Sequence, residues 1–147
     1  MIDRRHIGMS LRPAVLAIER GRLRFFAQAI GETDPVYLDE TAARAAGYPD
    51  LPAPPTFLFA AELDAGSIVA MLDELGIPLD RILHGEQGFA YRAPVCAGDT
   101  VTVTARISDI YARKGGALEF IVKDATVTNQ HGTEVAAMRF CLIVVRN

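Results

Sequence analysis

Apolar and polar positions alternate along the second half of the chain, most clearly over residues 100–113. One face of that segment carries Val101, Val103, Ala105 and Ile107, and the other carries Thr102, Thr104, Arg106 and Ser108. A two-residue period is typical of a β-strand with one buried face. We predict strands at 81–92, 100–113, 118–128 and 134–145, joined by turns at 97–99 and 114–116 and by a hairpin loop at 129–132. Gly85 and Gly88 predict bulges or close backbone approaches in the first strand.

The first half of the chain, to about Gly76, predicts helices. A short extended piece at 14–19 precedes a helix at 20–30, in which Leu23, Phe26, Ala27 and Ile30 recur at helical spacing. Gly31 is expected to end this helix in a left-handed conformation. A second, short helix is predicted at 39–46, with Asp39 as its N-cap and Gly47 as its stop.

A proline-rich stretch, residues 48–55, predicts a stiff extended loop because proline fixes φ and removes backbone donors. Thr56 follows as the expected hydroxyl cap of an apolar, buried helix that Gly66 interrupts and that resumes at 67–75. Helices followed by a run of strands indicate an α+β fold. A strongly curved antiparallel sheet wrapped round a central helix accounts for both halves.

Composition limits the functions that the chain can have. A length of 147 residues with 50% apolar residues predicts a single domain spanning 1–147. The net charge of −3 argues against a nucleic-acid-binding surface. The N-terminal segment is charged and no apolar run approaches a membrane span, so we expect a cytoplasmic protein without a membrane anchor.

Two smaller features of the composition bear on chemistry. Cys96 and Cys141 lie among apolar residues in predicted strands, where we expect buried free thiols, and no metal-ligand spacing occurs. Arginines cluster near the start of the chain, at 4, 5, 12, 20, 22 and 24. They indicate either a solvated helix face or a docking patch for a phosphorylated ligand such as coenzyme A.

Three stretches together resemble the MaoC-like dehydratase family, and within it the N-terminal-type, substrate-holding hot-dog domain. They are residues 26–37 (FAQAIGETDPVY), residues 51–57 (LPAPPTF), and residues 83–87 (LHGEQ) with AGDT at 97–100. The resemblance covers roughly residues 21–145. It implies a hot-dog fold, an acyl thioester held in a tunnel near the interface of two paired subunits, and reversible (R)-specific hydration of an enoyl thioester. No cofactor is implied, since coenzyme A or acyl carrier protein arrives as part of the substrate.

The active motif of this family, Gly-Asp-x-Asn-Pro-Leu-His, falls on residues 31–37, hereafter the motif turn. Here Glu32 replaces the Asp, Asp34 replaces the Asn, Pro35 matches and Tyr37 replaces the His. Misplacing a catalytic group by about 1 Å can cost on the order of 10²-fold in rate. A phenol with a pKa near 10 is also a poor base at neutral pH. The motif turn is therefore expected to serve architecture and pocket lining, with catalysis by Glu32 and Tyr37 as the alternative.

The resemblance also draws attention to His84, which lies in a predicted strand beside Gly85. His84 is a candidate catalytic base, or with Gln87 it lines the acyl channel; the competing interpretation is a polar cluster that stabilises a bulge or an interface. The start of the central helix implies a backbone N–H that binds the thioester oxygen. The candidate substrate-binding residues are Asp34, Pro55, Thr56, Phe57, Gly85 and Gln87, with no metal site.

Three functions remain open from the sequence. The chain is a substrate-holding subunit paired with a catalytic MaoC-like partner, a self-sufficient acyl-CoA hydratase that uses Glu32 or His84, or a hot-dog acyl-CoA thioesterase. In each case an apolar surface has to be covered, so we expect a homodimer or a heterodimer. The tyrosine at position 37, where the family has a histidine, favours the first function, the substrate-holding subunit.

Overall fold

Five antiparallel strands form one sheet in the order β1-β3-β4-β5-β2 in the computed structural model, which describes residues 1–146. The strands are β1 (Ala14–Ala17), β2 (Ile82–Tyr91), β3 (Thr100–Arg113), β4 (Leu118–Asn129) and β5 (Glu134–Val145). The four long strands match the predicted segments to within one residue at most ends. The short extended piece at 14–17 joins them as a fifth strand, paired with the start of β3.

Four helices and several single turns precede or pack on this sheet. The helices are α1 (Arg20–Ala29), α2 (Glu40–Ala45), α3 (Ala60–Asp64) and α4 (Ser67–Glu74). Single 3₁₀ turns occupy Arg4–His6, Pro35–Tyr37, Phe57–Phe59, Leu79–Arg81 and Lys114–Gly116. The predicted N-cap of α2 is confirmed, because the Asp39 carboxylate accepts a hydrogen bond from the Ala42 N–H at 2.8 Å. Gly66, at a φ of 65°, separates α3 from α4 as predicted.

The core lies between the sheet and the central helical segment. Phe57, Leu58 and Ala61 on that segment are almost wholly buried. On β3 the face predicted to be apolar is buried from Val101 to Ile107. This packing confirms the α+β arrangement of a sheet around a central helix.

Bulges bend the long strands. The register shifts between His84 and Glu86, where a Cβ on Gly85 would lie 3.0 Å from the Cys141 carbonyl oxygen. Gly85 is therefore required by close backbone approach, as predicted. The same prediction for Gly88 is wrong, because a Cβ there would meet only ordinary contacts at 3.8 Å or more. A bulge between Ile107 and Asp109 had no signal in the alternating sequence.

Two further expectations about burial are corrected by the packing. Ile30, predicted on the apolar face of α1, is 51% exposed because the helix ends one residue before it. Cys96 is buried as a free thiol as expected, yet it lies in an isolated bridge to Pro52 rather than in a strand. The proline loop holds its backbone there. Cys141 is a buried free thiol in β5, as predicted.

A buried ion pair joins the central helix to the sheet. The Lys123 ammonium on β4 donates to the Glu62 carboxylate on α3, and both side chains are at most 3% exposed. The ammonium also lies 5.1 Å from the centroid of the Phe140 ring. Burial lowers the pKa of Lys123, and the charge of Glu62 opposes that shift. The pair fixes the helix over one position of the sheet.

Candidate functional site

The carboxylates of the motif turn bind the backbone of the turn itself. Glu32 Oε1 accepts hydrogen bonds from the N–H groups of Thr33 at 2.8 Å and Asp34 at 2.9 Å. The Asp34 carboxylate accepts from the Val36 N–H at 3.0 Å and so caps the 3₁₀ turn Pro35–Tyr37. Gly31, at a φ of 74°, lets the chain leave α1 into this turn. The turn is thus built from local carboxylate-to-backbone bonds.

Tyr37 projects from this turn into a cavity of about 270 Å³. Burial is the main factor that raises the pKa of its phenol, and the neighbouring groups Tyr48, Glu32 and Asp34 raise it further. A phenol is already protonated at neutral pH, and the raised pKa leaves still less phenolate available as a base. The hydroxyl of Tyr37 therefore serves as a hydrogen-bond donor. This supports the expectation that Tyr37 does not replace an imidazole.

We call this cavity the tyrosine pocket, because three phenols line it. The remaining wall is proline and small apolar side chains. Its lining is Tyr37, Tyr48, Pro52, Ala53, Pro54, Pro55, Leu58, Tyr91, Ala93, Pro94 and Val95. Pro55 thus faces a cavity, as expected for a substrate-binding candidate. Tyr48 and Tyr91 had no signal in the sequence beyond being aromatic.

The start of the central helix differs from its predicted form. Thr56 has a φ of 77°, in the left-handed region, and its side chain makes no capping hydrogen bond. The prediction of a hydroxyl cap is therefore wrong, because a left-handed backbone turns the residue out of the N-cap geometry. Instead the Thr56 N–H donates to the Tyr91 hydroxyl oxygen at 2.7 Å. The left-handed conformation of a β-branched residue costs about 1–2 kcal/mol, and strain of this kind is concentrated at functional sites.

His84 lies on a second cavity of about 370 Å³, which adjoins the same junction. Its ring packs edge-on against Phe140, with 4.7 Å between centroids, and against Phe59 at 5.4 Å. The other walls are Phe26, Thr56, Phe57, Ala60, Leu63, Gln87 and Phe89. The surroundings of the imidazole are thus aromatic, and within residues 1–146 no carboxylate hydrogen-bonds to it. None of the hydrogen bonds described in this range joins His84 to Glu86 or Gln87.

Gln87 shares this aromatic cavity with His84, as expected for a pair that lines a channel. Its Oε1 atom is buried and has no hydrogen-bond partner in the described chain, while its Nε2 donates weakly to the Gly88 carbonyl at 3.3 Å. An unpaired buried carbonyl costs about 1–3 kcal/mol.

The predicted candidates fall into separate groups. Thr56 lines the aromatic cavity, and its neighbour Pro55 lines the tyrosine pocket. Tyr37 lines the tyrosine pocket only and His84 lines the aromatic cavity only, while Glu32 lines neither. The structure thus does not assemble Glu32, Tyr37 and His84 into one acid–base group. Their catalytic roles stay predictions.

The arginines of α1 form ion pairs with carboxylates of the same chain. Arg20 donates to Asp50 at 2.5 and 3.0 Å and lies 2.8 Å from Glu40. Arg22 pairs with Asp64 on the central helix. These pairs tie α1 to the proline loop and to α3. They leave this part of the cluster without the free guanidinium groups that a phosphate dock requires.

Residues 1–146 contain no group of three or more His, Cys, Asp or Glu side chains placed to hold a metal ion. In that range no helix has the length and apolar character needed to cross a membrane.

Known proteins resemble the chain over most of its length. A model of the FAS1-like dehydratase domain region matches residues 5–138. A protein of Streptomyces avermitilis named UPF0336 protein is 43% identical over 115 residues, which are 78% of this chain and 77% of that relative.

Two solved structures share the fold. The HadBC (3R-hydroxyacyl-ACP dehydratase) complex of Mycobacterium tuberculosis contains a chain that is 27% identical, with a TM-score of 0.81 over 94% of this chain and 96% of that one. A MaoC-like dehydratase superposes with a TM-score of 0.81 at 21% identity, over 95% of this chain and 42% of that one. These likenesses confirm the predicted hot-dog fold and the resemblance to MaoC-like dehydratases.

Proposed function

The chain belongs to the family of FAS1-like dehydratase domain regions, and we propose that it is the substrate-holding subunit of an (R)-specific enoyl-thioester hydratase, or 3-hydroxyacyl-thioester dehydratase. In this role it binds the acyl thioester, while a partner hot-dog chain with an intact Asp and His moves the protons. The thioester belongs to coenzyme A or to an acyl carrier protein. The observation that carries the proposal is the motif turn, whose carboxylates cap their own backbone and whose histidine position holds a protonated phenol.

The reaction requires one group to take a proton from water while another delivers a proton to carbon. Such a pair has to share a site. In this chain Glu32 lies near Tyr37 but binds backbone N–H groups of the motif turn, and His84 lines a different cavity. The three groups therefore supply no matched pair, which favours a partner as the source of catalysis. The two cavities beside Thr56 are suited to binding instead, because apolar walls with a few polar groups are typical of ligand pockets.

The open edge of strand β2 supports the proposal of a partner chain. The strand pairs only with β5, so its other edge is open, and its Leu83 side chain is 56% exposed. Leu63 beside the aromatic cavity is 58% exposed. An open edge with apolar side chains is a surface that proteins cover. The similar HadBC structure is a complex, so a second hot-dog chain on this edge is the partner we propose.

The two alternative functions have weaker support. A self-sufficient hydratase would use Glu32 or His84. Glu32 binds backbone N–H groups of the motif turn, and the imidazole of His84 meets aromatic rings rather than a carboxylate. A thioesterase would use a carboxylate of the central helix. Here Glu62 is paired with Lys123 in the core, and Asp64 is paired with Arg22.

The test is hydration of crotonyl-CoA by the purified chain, alone and mixed with a candidate partner that carries the complete motif. Positioned acid–base groups contribute about 10²–10⁴-fold to such a reaction. We therefore expect the chain alone to bind crotonyl-CoA yet hydrate it at least about 10²-fold more slowly than the mixture. Hydration by the chain alone at the rate of the mixture would contradict the proposal. Glu32→Ala and His84→Ala, compared side by side, would then identify the base.

A further inference from the structure

We propose that the aromatic cavity holds the acyl tail of the thioester and that Phe59 closes its inner end, so that the chain selects short- and medium-chain acyl groups. This inference rests on the proposed function, because it names the class of substrate that the subunit would hold. The thioester carbonyl stays outside the cavity, beside the acid–base pair of the partner. Phe59 is then a specificity-determining residue and not a catalytic one.

The mouth of the aromatic cavity lies on the side where the partner is proposed. His84, Gln87 and Phe89 line the cavity from β2, the strand with the open edge. Leu63 lines it from α3, and this side chain is 58% exposed. A tail that enters between Leu63 and β2 therefore leaves its thioester end at the edge that the second hot-dog chain would cover.

Three aromatic rings close the opposite, inner end of the cavity. The centroid of the Phe59 ring lies 5.4 Å from that of His84 and 5.8 Å from that of Phe140. The His84 and Phe140 centroids are 4.7 Å apart. Phe140 is almost wholly buried and is not part of the cavity wall, so it lies behind the other two rings. Phe59 is partly buried and lines the cavity, so its ring is the part of the floor on the central helix that a tail meets.

The buried ion pair lies behind this floor. The Lys123 ammonium is 5.1 Å from the centroid of the Phe140 ring, and it is paired with the Glu62 carboxylate. Because protein interiors are close-packed, a tail that pushed past the rings would have to separate this pair. Separating two buried charges is costly, since each loses the partner that offsets its desolvation. The limit on tail length is thus set by the core.

The volume of the cavity gives an upper bound for the tail. A water molecule takes up about 30 Å³ in the liquid, and a methylene group is of similar size. The cavity of about 370 Å³ therefore holds at most about twelve such groups. Each methylene that moves from water into the cavity should strengthen binding about fourfold. Carbons for which the cavity has no room stay in water and add nothing.

Calorimetric titration of the full chain with saturated acyl-CoA thioesters of four to fourteen carbons, each below its critical micelle concentration, measures this limit. We expect the affinity to rise about fourfold per carbon and to level off at or before about twelve carbons. Phe59→Ala removes the floor ring, so the rise should continue. The fourteen-carbon ligand should then bind about tenfold more tightly than to the wild type, and the four-carbon ligand should change by less than about twofold.

Ala60→Phe changes the cavity in the opposite direction. Ala60 lines the cavity and is only partly buried, so a ring at this position occupies space that the tail would use. We expect the affinity to level off at a shorter tail than in the wild type. Phe120→Ala is the matched control and should leave the limit unchanged, because Phe120 stacks on Tyr111 outside both cavities.

A rise that continues to fourteen carbons in the wild type, or a limit that neither Phe59→Ala nor Ala60→Phe moves, would overturn the role of Phe59 and leave the proposed function standing. The tail would then lie elsewhere, for example in the tyrosine pocket. Phe59→Leu is the milder substitute if Phe59→Ala does not fold, and an unmoved limit in it counts in the same way. Failure of the wild type to bind every ligand of the series would overturn both the inference and the proposed function.

Discussion

The motif turn and the junction at the start of the central helix satisfy their polar groups in opposite ways. In the motif turn, Glu32 and Asp34 accept from backbone N–H groups at most two residues away. At the junction, the strained Thr56 donates to Tyr91, which is 35 residues further along the chain. The first region is self-contained, whereas the second depends on the tertiary fold. The segment that identifies the family is therefore distinct from the segment whose hydrogen bond depends on the tertiary fold.

The central helix carries a second long-range contact, the Glu62–Lys123 pair, which has no counterpart in the motif turn. Both charges are shielded from water in the core. The desolvation cost of burying two charges is offset by their attraction only when both charges are present and well oriented. Changes in the central helix should therefore cost far more stability than changes in the motif turn.

The largest effect is expected from Glu62→Ala. The change leaves the Lys123 ammonium buried without a partner, so we expect the free energy of unfolding to fall by about 3–5 kcal/mol. Urea denaturation followed by circular dichroism measures it. The double variant Glu62→Leu with Lys123→Met is the control, and it should recover most of the loss because apolar side chains of similar volume replace the pair. A loss below about 1 kcal/mol for Glu62→Ala would show that water reaches the pair.

Much of the fold could be predicted because its signals are local. Alternation along β3 and the glycine stops of α1 and α2 act within a few residues, and the predicted bounds hold. Lys123 shows the limit. It shares the core-facing parity of Ile121 and Ala125 on β4, so its burial had a signal, yet charged side chains are almost never buried unless paired. The partner, Glu62, lies 61 residues away and could not be found without the fold.

A smaller effect is expected from Glu32→Ala in the motif turn. The change removes the acceptor of two backbone N–H groups at the surface, so we expect a loss of about 1 kcal/mol in urea denaturation. Glu32→Gln keeps an amide oxygen at the same place and should restore most of that stability. In the hydratase mixture both variants should retain activity. Equal inactivation by Ala and Gln would instead assign the carboxylate to catalysis and reverse the comparison between the two regions.

The candidate site could be predicted only in part, because some of its contacts join residues that are far apart in the sequence. Five of the predicted candidates do line cavities: Pro55, Thr56, Phe57, His84 and Gln87. They could be predicted because the family resemblance placed them near the central helix. The predicted capping role of Thr56 was wrong, since its backbone is left-handed, a conformation that a β-branched residue rarely adopts and that its sequence did not indicate. Tyr91 ends an otherwise ordinary strand. Its hydroxyl acquires a role only when β2 meets the proline loop.

The smallest effect concerns the link between the two regions. Arg20 on α1 binds Asp50 in the proline loop, and this bond, followed by the Leu51 N–H, lowers the pKa of Asp50 to about 2. Because the pKa is lower in the folded chain than in the unfolded one, where it is about 4, the stabilisation is present above pH 4 and is lost as pH falls toward 2. Because the Arg20 side chain is 45% exposed, solvent screens the pair, and we expect the smallest loss of stability of the three variants.

Urea denaturation between pH 5 and pH 2 on the wild type and on Asp50→Asn measures this contribution. The stability difference between the two proteins should be present at pH 5 and should shrink toward pH 2. Protonation of Asp50 removes its charge in that range, and the amide of the variant carries no charge at either pH. Asp73→Asn is the matched control, since Asp73 is exposed on α4 and forms no ion pair in the described part of the chain. A constant difference across the range would mean that Arg20 does not hold the proline loop. In that case the left-handed backbone of Thr56 would have to be fixed by the Tyr91 bond and the buried helix alone.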